Sequence, residues 1–262
     1  MNCHGEQIAK YLNQIEFVKN NYLIEHVSTY VNLTKPVTLE LLKDCDILIT
    51  NNFTKYRHYT VERLKTIVKP NTQIIVIEYF RFNGFYPLKQ LLNNKMLLCY
   101  DESYSTNTYV DFINYLIDES LIKTNFDNSL KLLKQLNESS DIKIYDYFVE
   151  NYKTLPLFRD RDHPTEHIFK HMVDQILMKL DINETVNIDN KLEFGIAVRY
   201  KIINENVKKV LGLNYKINKV YTFDDFCTEE HYFYFTKLMQ PNRKLQRRNI
   251  FKNYNLYLNS IQ

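Results

Sequence analysis

The strongest constraint on the fold of this chain is a strand, helix, strand pattern in its first third. The apolar run Asp46–Thr50 is followed by Thr60–Val68 with helical spacing and then by the β-branched run Gln73–Ile77. Two buried strands joined by a helix are typical of a parallel sheet that helices cover on both faces. The sequence therefore predicts an α/β fold with an open, mainly parallel sheet flanked by helices.

Apolar residues at helical spacing and short β-branched runs place the other elements. We predict further helices over Glu6–Asn20 after a turn at Gly5, over Tyr109–Ile122, Phe126–Leu136 and Thr165–Leu180, a short helix opened by Pro36, and strands over Tyr22–Asn32 and Met96–Tyr100. Beyond Asn183 the pattern weakens into mixed strand and helix. We therefore expect an α/β domain over 1–182 and, packed on it, an α+β extension over 183–262.

Composition argues against several classes of protein. With 262 residues, 45% hydrophobic and 25% charged side chains, the chain has the content of an ordinary globular protein. The net charge of +3 is too small to indicate a nucleic-acid partner, and the bias toward Asn, Lys, Ile and Tyr is typical of an AT-rich genome. No apolar run approaches about eighteen residues and no export signal opens the chain, so we expect a cytoplasmic protein without a membrane span.

Neither the cysteines nor the histidines form a metal-binding pattern. The cysteines are Cys3, Cys45, Cys99 and Cys227. They make no CxxC pair, so neither a zinc ribbon nor a redox dithiol is predicted. His163, His167 and His171 recur at every fourth position, but Pro164 takes the first off the regular helix and the glutamate of a His-Glu-x-x-His site is lacking. We therefore predict no metal cofactor.

Ligands of an open parallel sheet lie beyond the carboxyl ends of its strands, on the loops that lead into helices. In this chain the loops to consider are Asn2–Gly5, Asn51–Tyr59, Glu78–Pro87 and Arg159–Pro164. The first lies immediately before a predicted helix, whose free N–H groups and dipole hold an anion and favour a thiolate. Cys3 is therefore a candidate nucleophile, although a small buried filler is the more frequent role of a lone cysteine.

The loop Arg159–Pro164 carries a histidine with a carboxylate nearby. Asp160 and His163 have the Asp-x-x-His spacing by which one loop of the GDSL/SGNH hydrolases supplies both a base and the group that orients it. His163 is therefore a candidate general base. The alternative interpretation is a charged loop in which Asp162 or Thr165 caps the following helix.

Two further segments are candidates for binding phosphate. In the aromatic loop Glu78–Pro87, Arg81 is suited to a phosphate and the rings to a base or a sugar. Packing of such rings into the core is the more frequent outcome. The C-terminal cluster Arg243–Arg248 also suits phosphates, although a solvated tail is the more frequent outcome in a lysine-rich chain.

Taken in order, these segments resemble the WcbI-like polysaccharide-biosynthesis family of coenzyme A-dependent acetyltransferases acting on sugars. The family's Gly-Asn-Cys-Gln opening is similar to Asn2–Gly5, its Cys-Asp-apolar strand to Cys45–Asn51, its phenylalanine-rich loop to Arg81–Pro87, and its Asn-His-Pro-Thr block to Asp162–Thr165. The resemblance covers about residues 1–180. It implies an SGNH-like architecture, which agrees with the α/β fold that the strand pattern predicts.

The sequence departs from the family pattern in two places, and each departure leads to a separate expectation. The family has a short apolar strand before its cysteine motif, whereas this chain begins at Met1-Asn2-Cys3. We expect that the chain belongs to a longer polypeptide, that another segment replaces the strand, or that Cys3 is presented differently. Asp162 stands where the family has Asn, and its charge is expected to raise the pKa of His163.

The resemblance implies transfer of an acetyl group from acetyl-CoA to a sugar or nucleotide-sugar acceptor, with an amino sugar favoured over a hydroxyl. His163 would be the base, with Asp160 or Asp162 orienting it. Asn51 or the backbone N–H groups near the cysteine would stabilise the oxyanion. Cys3 is either the nucleophile that carries the acyl group or a residue that positions the thioester.

The same resemblance implies a set of contacts to the coenzyme. Its phosphates need cations, and the remaining polar groups of the first loop lie close to the cysteine. The candidates for binding it are Asn2, His4, Gly5, Arg81, Arg159 and Arg161. The domain over 1–182 would be the catalytic one, and the extension over 183–262 would shape an acceptor pocket or a dimer interface. A homo-oligomer is left open.

Two rival functions use the same loops. An SGNH-like carbohydrate esterase or deacetylase would put water in place of the sugar acceptor, usually with a serine in place of Cys3, and would release acetate without coenzyme A. A non-catalytic module would bind nucleotide or glycan through the aromatic loop and the Arg243–Arg248 cluster. Loss of binding on removal of 241–262, with both Cys3→Ala and His163→Ala harmless, would indicate the module.

Overall fold

The computed structural model describes residues 3–27, 36–51, 60–87, 118–187, 203 and 205–215. Within these ranges the helices are α1 (Cys3–Leu12), α2 (Glu16–Asn21), α3 (Pro36–Asp44), α4 (Val61–Lys65), α5 (Glu119–Glu138), α6 (Tyr145–Asn151), α7 (Glu166–Lys179) and α8 (Glu205–Leu211), and the strands are β1 (Ile47–Asn51) and β2 (Gln73–Ile77). The two strands are parallel, with Ile47 opposite Gln73 and Asn51 opposite Ile77. The predicted strand, helix, strand unit is thus present in a mixed fold with a small parallel sheet.

Two elements near the N-terminus differ from the prediction. The helix predicted over Glu6–Asn20 begins earlier, at Cys3, and is interrupted after Leu12, so Gly5 lies inside α1 and not in a turn before it. The interruption comes at Ile15, whose backbone is extended while its side chain is 4% exposed. Burying the side chain of Ile15 is more favourable than continuing the helix through it. The first part of the predicted strand, residues 22–27, has no regular structure.

Helix α6 was not predicted, because it is short and its aromatic residues give no clear helical period. The side-chain oxygen of Asn137 accepts hydrogen bonds from the backbone N–H groups of Ile144 at 2.7 Å and Tyr145 at 3.0 Å, where the helix begins.

Three predicted segments lie outside the described residues. They are the strand Met96–Tyr100, most of the helix Tyr109–Ile122 and the Arg243–Arg248 cluster.

The chain divides into two compact units, Met1–Phe82 with Lys131–Arg199, and Asn83–Leu130 with Tyr200–Gln262. The division into a domain over 1–182 and an extension over 183–262 stays a prediction.

In the first unit, α1 packs against α7. On α7, Ile168, Met172 and Ile176 are fully buried, and the ring of Tyr11 on α1 stacks on Phe169 with centroids 6.2 Å apart. Burying an apolar side chain of this size contributes roughly 1.5–3 kcal/mol to folding. Hydrophobic contact thus holds α1, and with it the first residues of the described chain, on the body of the first unit.

The edge of β2 that does not face β1 is covered by a loop. The backbone N–H of Val76 donates to Asp141 Oδ2 at 2.7 Å, and the backbone N–H of Asp141 donates back to the Val76 carbonyl at 2.7 Å. The Ser140 hydroxyl donates to the same carbonyl at 3.3 Å. These bonds satisfy backbone groups that an exposed edge strand would leave unpaired.

In the second unit, Phe85 and Phe126 are buried and their ring centroids lie 6.2 Å apart. The Asn125 amide donates to the carbonyl of Gly84 at 3.2 Å. Helix α8 ends at Gly212, whose φ of +65° is left-handed. The N–H of Leu213 then bonds the Lys208 carbonyl at 2.9 Å, which is the Schellman arrangement at a helix C-terminus.

Candidate active site

The carboxylate of Asp160 folds the loop 159–164. Its Oδ1 accepts hydrogen bonds from the backbone N–H groups of Asp162 at 2.8 Å and His163 at 3.0 Å. This is the turn that an aspartate forms with the backbone two and three residues ahead. The backbone N–H of Arg159 also donates to the His163 carbonyl at 2.8 Å, which closes the loop.

The same carboxylate orients the ring of His163. Its two oxygens lie 2.9 and 2.8 Å from Nδ1, and the His163 side chain is 39% exposed. Asp160, and after it Cys3, raises the pKa of His163 to about 10 through hydrogen bonds that stabilise the charged ring. The main cause of the raised pKa is thus Asp160, whereas the charge of Asp162 was the expected cause.

Cys3 lies beside this histidine. It is the first residue of α1, its side chain is half-buried, and its thiol is free. The thiol is close enough to the His163 ring to contribute, after Asp160, to its raised pKa. Because Asp160 occupies Nδ1, Nε2 is the ring nitrogen left to exchange a proton with the sulfur. The structure thus brings three predicted residues into a series, Cys3, His163 and Asp160.

His4 is buried in the first turn of α1, with 1% of its surface exposed. Its Nε2 lies 2.9 Å from the backbone carbonyl of Asp162. The ring of Tyr79 lies against it with centroids 4.4 Å apart and planes at 31°, and the edge of Phe169 lies 5.7 Å away. Burial lowers the pKa of His4 to about 4, so at neutral pH the ring is uncharged and Nε2–H donates to the carbonyl.

Two of the three arginines predicted to bind phosphate are paired with carboxylates. Arg159 Nη2 lies 2.9 Å from Glu166 Oε2, and Arg161 contacts the Asp162 carboxylate through Nη2 at 2.6 Å and through Nε at 2.7 and 2.8 Å. Arg81 is exposed and makes no ion pair with any residue in the described part of the chain. Arg81 is therefore the arginine with the most free capacity for an anionic ligand.

Asn51 lies where β1 ends and is 2% exposed. Its amide donates to the Ile77 carbonyl at the end of β2, at 3.2 Å. Its Oδ1 is buried and has no hydrogen-bond partner among the described residues. Of the remaining candidates, Gly5 is buried inside α1 and Asn2 lies outside the described residues.

The aromatic loop after β2 packs mostly inward. Phe80, Phe82 and Phe85 are at most 1% exposed, and Tyr86 is also buried. Tyr79 is half-buried and lies against His4. The more frequent outcome for such a loop, packing into the core, is therefore confirmed for these rings.

His171, the last histidine of the four-residue series, lies on α7 and makes contacts of its own. His171 stacks on Tyr147 with centroids 4.2 Å apart, and its Nε2 lies 3.0 Å from the Lys143 carbonyl. Within the ranges that the structure covers, no group of three His, Cys, Asp or Glu side chains is placed to hold a metal ion. In the same ranges, no helix has both the length and the apolar content needed to cross a bilayer.

Two residues that shape the site, Glu166 and Tyr79, were not predicted from the sequence. Glu166 binds Arg159 from the first turn of α7, and its signal was an acidic residue at a helix start seven positions after an arginine. Tyr79 covers His4 from the segment after β2. That contact joins residues distant in the chain, and no spacing rule points to it.

The fold and the site define a class, an α/β protein with cysteine, histidine and aspartate in series beyond the carboxyl ends of a parallel strand pair. Residues 1–185 match the family of the polysaccharide biosynthesis enzyme WcbI. The chain belongs to this family, as the resemblance predicted, and the family is one of enzymes.

A solved structure supports the fold. It is described as WcbI, a novel polysaccharide biosynthesis enzyme, in a native form without a disulfide bond between coenzyme A and a cysteine of that protein. Its TM-score to this chain is 0.50 at 14% sequence identity, over 68% of this chain and 67% of that one. Comparison with curated proteins gives no match.

Proposed function

We propose that the protein transfers an acetyl group from acetyl-CoA to a sugar in polysaccharide biosynthesis, with an amino sugar favoured over a hydroxyl. The observation that carries this proposal is the series of Cys3, His163 and Asp160, which is the arrangement of a nucleophile, a base and an orienting carboxylate in acyl transfer. Membership of the WcbI family adds the polysaccharide context. The solved relative adds coenzyme A, which its description names beside a cysteine.

In the first half of the reaction, Cys3 takes the acetyl group. His163 takes the proton of the thiol, and the sulfur attacks the thioester carbon of acetyl-CoA. The bond between that carbon and the coenzyme sulfur then breaks. His163 gives its Nε2 proton to the departing sulfur, so free coenzyme A leaves and the acetyl group stays on Cys3.

In the second half, the acceptor attacks the acetyl carbon on Cys3. His163, now neutral, takes a proton from the attacking amine or hydroxyl, and the bond between the acetyl carbon and the Cys3 sulfur breaks. The histidine then gives this proton to the Cys3 sulfur, which restores the thiol.

The oxyanion of each tetrahedral intermediate needs donors. The first backbone N–H groups of α1, around Cys3 and His4, have no acceptor within the helix. They adjoin the reacting sulfur, whereas the Asn51 amide already donates to Ile77. We therefore place the oxyanion at the start of α1 and give Asn51 a secondary place in the proposal.

The coenzyme phosphates are assigned first to Arg81, because it is exposed and lies four residues after β2. Arg159 and Arg161 can bind phosphate only by sharing or exchanging their carboxylate partners. A cytoplasmic location, where acetyl-CoA is supplied, belongs to the same proposal.

The test combines binding with trapping of the covalent intermediate. Purified full-length protein is titrated calorimetrically with coenzyme A and acetyl-CoA, and is then incubated with acetyl-CoA without acceptor for peptide mass spectrometry. We expect a mass increase of one acetyl group on the Cys3 peptide, none in Cys3→Ser, and release of that group when an amino sugar is added. Binding without acetylation of Cys3, together with transfer activity in Cys3→Ala, would leave the cysteine only a role in positioning the thioester.

A second candidate function is hydrolysis of acetylated sugars. The contact of Asp160 with His163 through Asp-x-x-His spacing is the arrangement of SGNH hydrolases, and the 39% exposure of the histidine admits water. Acetate release from acetylated sugars without coenzyme A would favour this candidate. Coenzyme binding that is lost on removal of 241–262, with no reaction of either kind, would indicate a binding module instead.

A further inference from the structure

His4 is the point where the first turn of α1 contacts the loop 159–164. Its Nε2–H donates to the Asp162 carbonyl at 2.9 Å, across 158 positions of sequence. The ring is 1% exposed and is held between Tyr79 and Phe169. A neutral, enclosed ring of this kind has little freedom to rotate, so the hydrogen bond fixes the distance between two backbone segments.

These two segments carry the reacting residues. Cys3 directly precedes His4 on α1, and His163 directly follows Asp162 in the loop. The loop has its own fold, because Asp160 holds it from inside, and it is tied to the segment after β2 by the N–H of Phe82, which donates to the Arg161 carbonyl at 2.8 Å. The hydrogen bonds within the loop do not determine where the N-terminus of α1 lies against it.

We propose that His4 is a positioning residue, whose hydrogen bond to the Asp162 carbonyl sets the contact between the Cys3 thiol and the His163 ring. This role rests on the proposed function only in that it treats those two side chains as the reacting pair. His4 touches neither substrate nor the transferred group in this role. It acts through its neighbour in the chain and through the loop opposite.

The role predicts different effects from three substitutions. His4→Gln keeps an N–H donor that can reach the carbonyl, His4→Leu keeps apolar volume without a donor, and Leu64→Ala is the matched control. Leu64 is 2% exposed on α4 and has no place in the site. All three remove buried contacts, but only His4→Leu removes the bond between α1 and the loop.

Two measurements report on the pair without requiring acetyl transfer. One is the pH dependence of Cys3 alkylation by iodoacetamide, followed on the Cys3 peptide by mass spectrometry so that the other cysteines do not interfere. The other is the NMR titration of His163. We expect His4→Leu to slow alkylation at neutral pH by about tenfold and to move the His163 titration toward its ordinary value, because the stabilising contact with the sulfur is weakened. His4→Gln is expected to stay within about twofold of the wild type.

Unchanged alkylation and His163 titration in a folded His4→Leu protein would overturn the proposal, as would equal changes in Leu64→Ala. If His4→Leu does not fold, His4→Asn replaces it, since its shorter amide does not reach the carbonyl. The comparison of His4→Asn with His4→Gln then tests the role of the hydrogen bond to Asp162. Acetyl transfer is measured in parallel, where a fall in kcat with KM unchanged is expected for His4→Leu. Absence of transfer in the wild type would refute the proposed function and leave the alkylation and NMR results to decide the role of His4.

Discussion

Asp160 contacts His163 through both its side chain and its backbone. The two carboxylate oxygens lie 2.9 and 2.8 Å from the ring Nδ1, and Oδ1 also accepts the backbone N–H of the same histidine at 3.0 Å. One carboxylate thus determines the fold of the loop and the direction of the ring. A carboxylate only accepts hydrogen bonds, so Nδ1 carries a proton and Nε2 is left to the thiol.

Substituting this carboxylate separates its electrostatic effect from its effect on the loop. Asp160→Asn keeps an oxygen for the two backbone N–H groups but removes the charge that raises the pKa of His163. We expect kcat for acetyl transfer to fall by roughly 10²–10⁴-fold. The melting temperature at neutral pH is also expected to fall, because the protonated ring loses the charge that stabilises it. Steady-state kinetics and thermal unfolding measure the two effects.

Asp162→Asn is the comparison that distinguishes the two acidic residues beside the histidine. The Asp162 carboxylate binds Arg161 and not the His163 ring. Because a partly exposed ion pair contributes little, we expect kcat to fall by less than about tenfold. Equal losses in the two variants would contradict the assignment of Asp160 as the orienting residue.

Arg81 is expected to bind phosphate of the coenzyme. It is exposed and makes no ion pair within the described ranges, so its charge is available to a ligand. Loss of one charge-assisted contact weakens binding by roughly 1.5–3 kcal/mol, and we expect Arg81→Ala to raise the Kd of coenzyme A by about ten- to a hundredfold. Calorimetric titration of both proteins with coenzyme A measures this change in Kd.

The control for Arg81 is Arg63→Ala, an exposed arginine on α4. Acetyl-pantetheine, which lacks the nucleotide and its phosphates, adds a second control. If Arg81 binds phosphate, Arg81→Ala and the wild type should use acetyl-pantetheine equally well. A similar loss with both acyl donors would place Arg81 in acceptor binding or in the fold.

His4 makes stability depend on acid pH. The pKa of His4 is lowered to about 4, mainly by burial and in smaller part by the charge of nearby His163. The hydrogen bond to the Asp162 carbonyl and the charges of Asp162 and Asp160 act in the opposite direction. The unfolded chain takes up this proton near pH 6.5 and the folded chain only near pH 4. The unfolded state therefore binds more protons in this window, and stability falls as the pH is lowered through it, by on the order of 3 kcal/mol.

In His4→Gln that contribution is absent. We expect urea unfolding between pH 7.5 and 4 to show a wild-type advantage that shrinks as the pH falls below about 6.5, while both proteins share the acid loss from their other groups. A constant difference across the range would mean that the proton on His4 is not excluded by folding.

The local elements of the parallel unit could be predicted because their signals lie within a few residues of one another. The strand Gln73–Ile77 is confirmed at both ends, and β1 differs from its predicted span by one residue. Asp160 and His163 are likewise three positions apart, so their contact follows from spacing. The division of α1 from α2 depends on burial of Ile15 against the body of the protein, which the sequence does not show.

Long-range contacts within the site had no comparable signal. The spacing favoured Asp160, but the sequence still left Asp162 as an alternative partner for His163, and the turn geometry assigns the contact to Asp160. It grouped Arg159 and Arg161 with Arg81, whereas neighbouring carboxylates occupy the first two. His4 was assigned to coenzyme binding because of its position in a motif. Its burial and its bond to a carbonyl 158 positions away favour a positioning role.

The end of α7 contains a strained residue whose replacement should stabilise the protein. Asp181 has a φ of +56°, and the N–H of Ile182 bonds the Leu177 carbonyl at 2.9 Å. This is the same Schellman arrangement that α8 forms with Gly212. A residue with a Cβ pays roughly 1–2 kcal/mol for the left-handed conformation, less for Asp. We therefore expect Asp181→Gly to raise the free energy of unfolding by about 0.5–1 kcal/mol, measured by urea denaturation.

The reciprocal substitution Gly212→Asp tests the same cause at α8. A Cβ at Gly212 meets no atom within 4 Å, so the backbone conformation alone should decide its effect, and we expect a loss of about the same size. Asp181→Ala removes the charge but keeps the Cβ, and it should not stabilise. Gains of equal size from Asp181→Ala and Asp181→Gly would trace the effect to the carboxylate, because relief of left-handed backbone strain requires the loss of the Cβ.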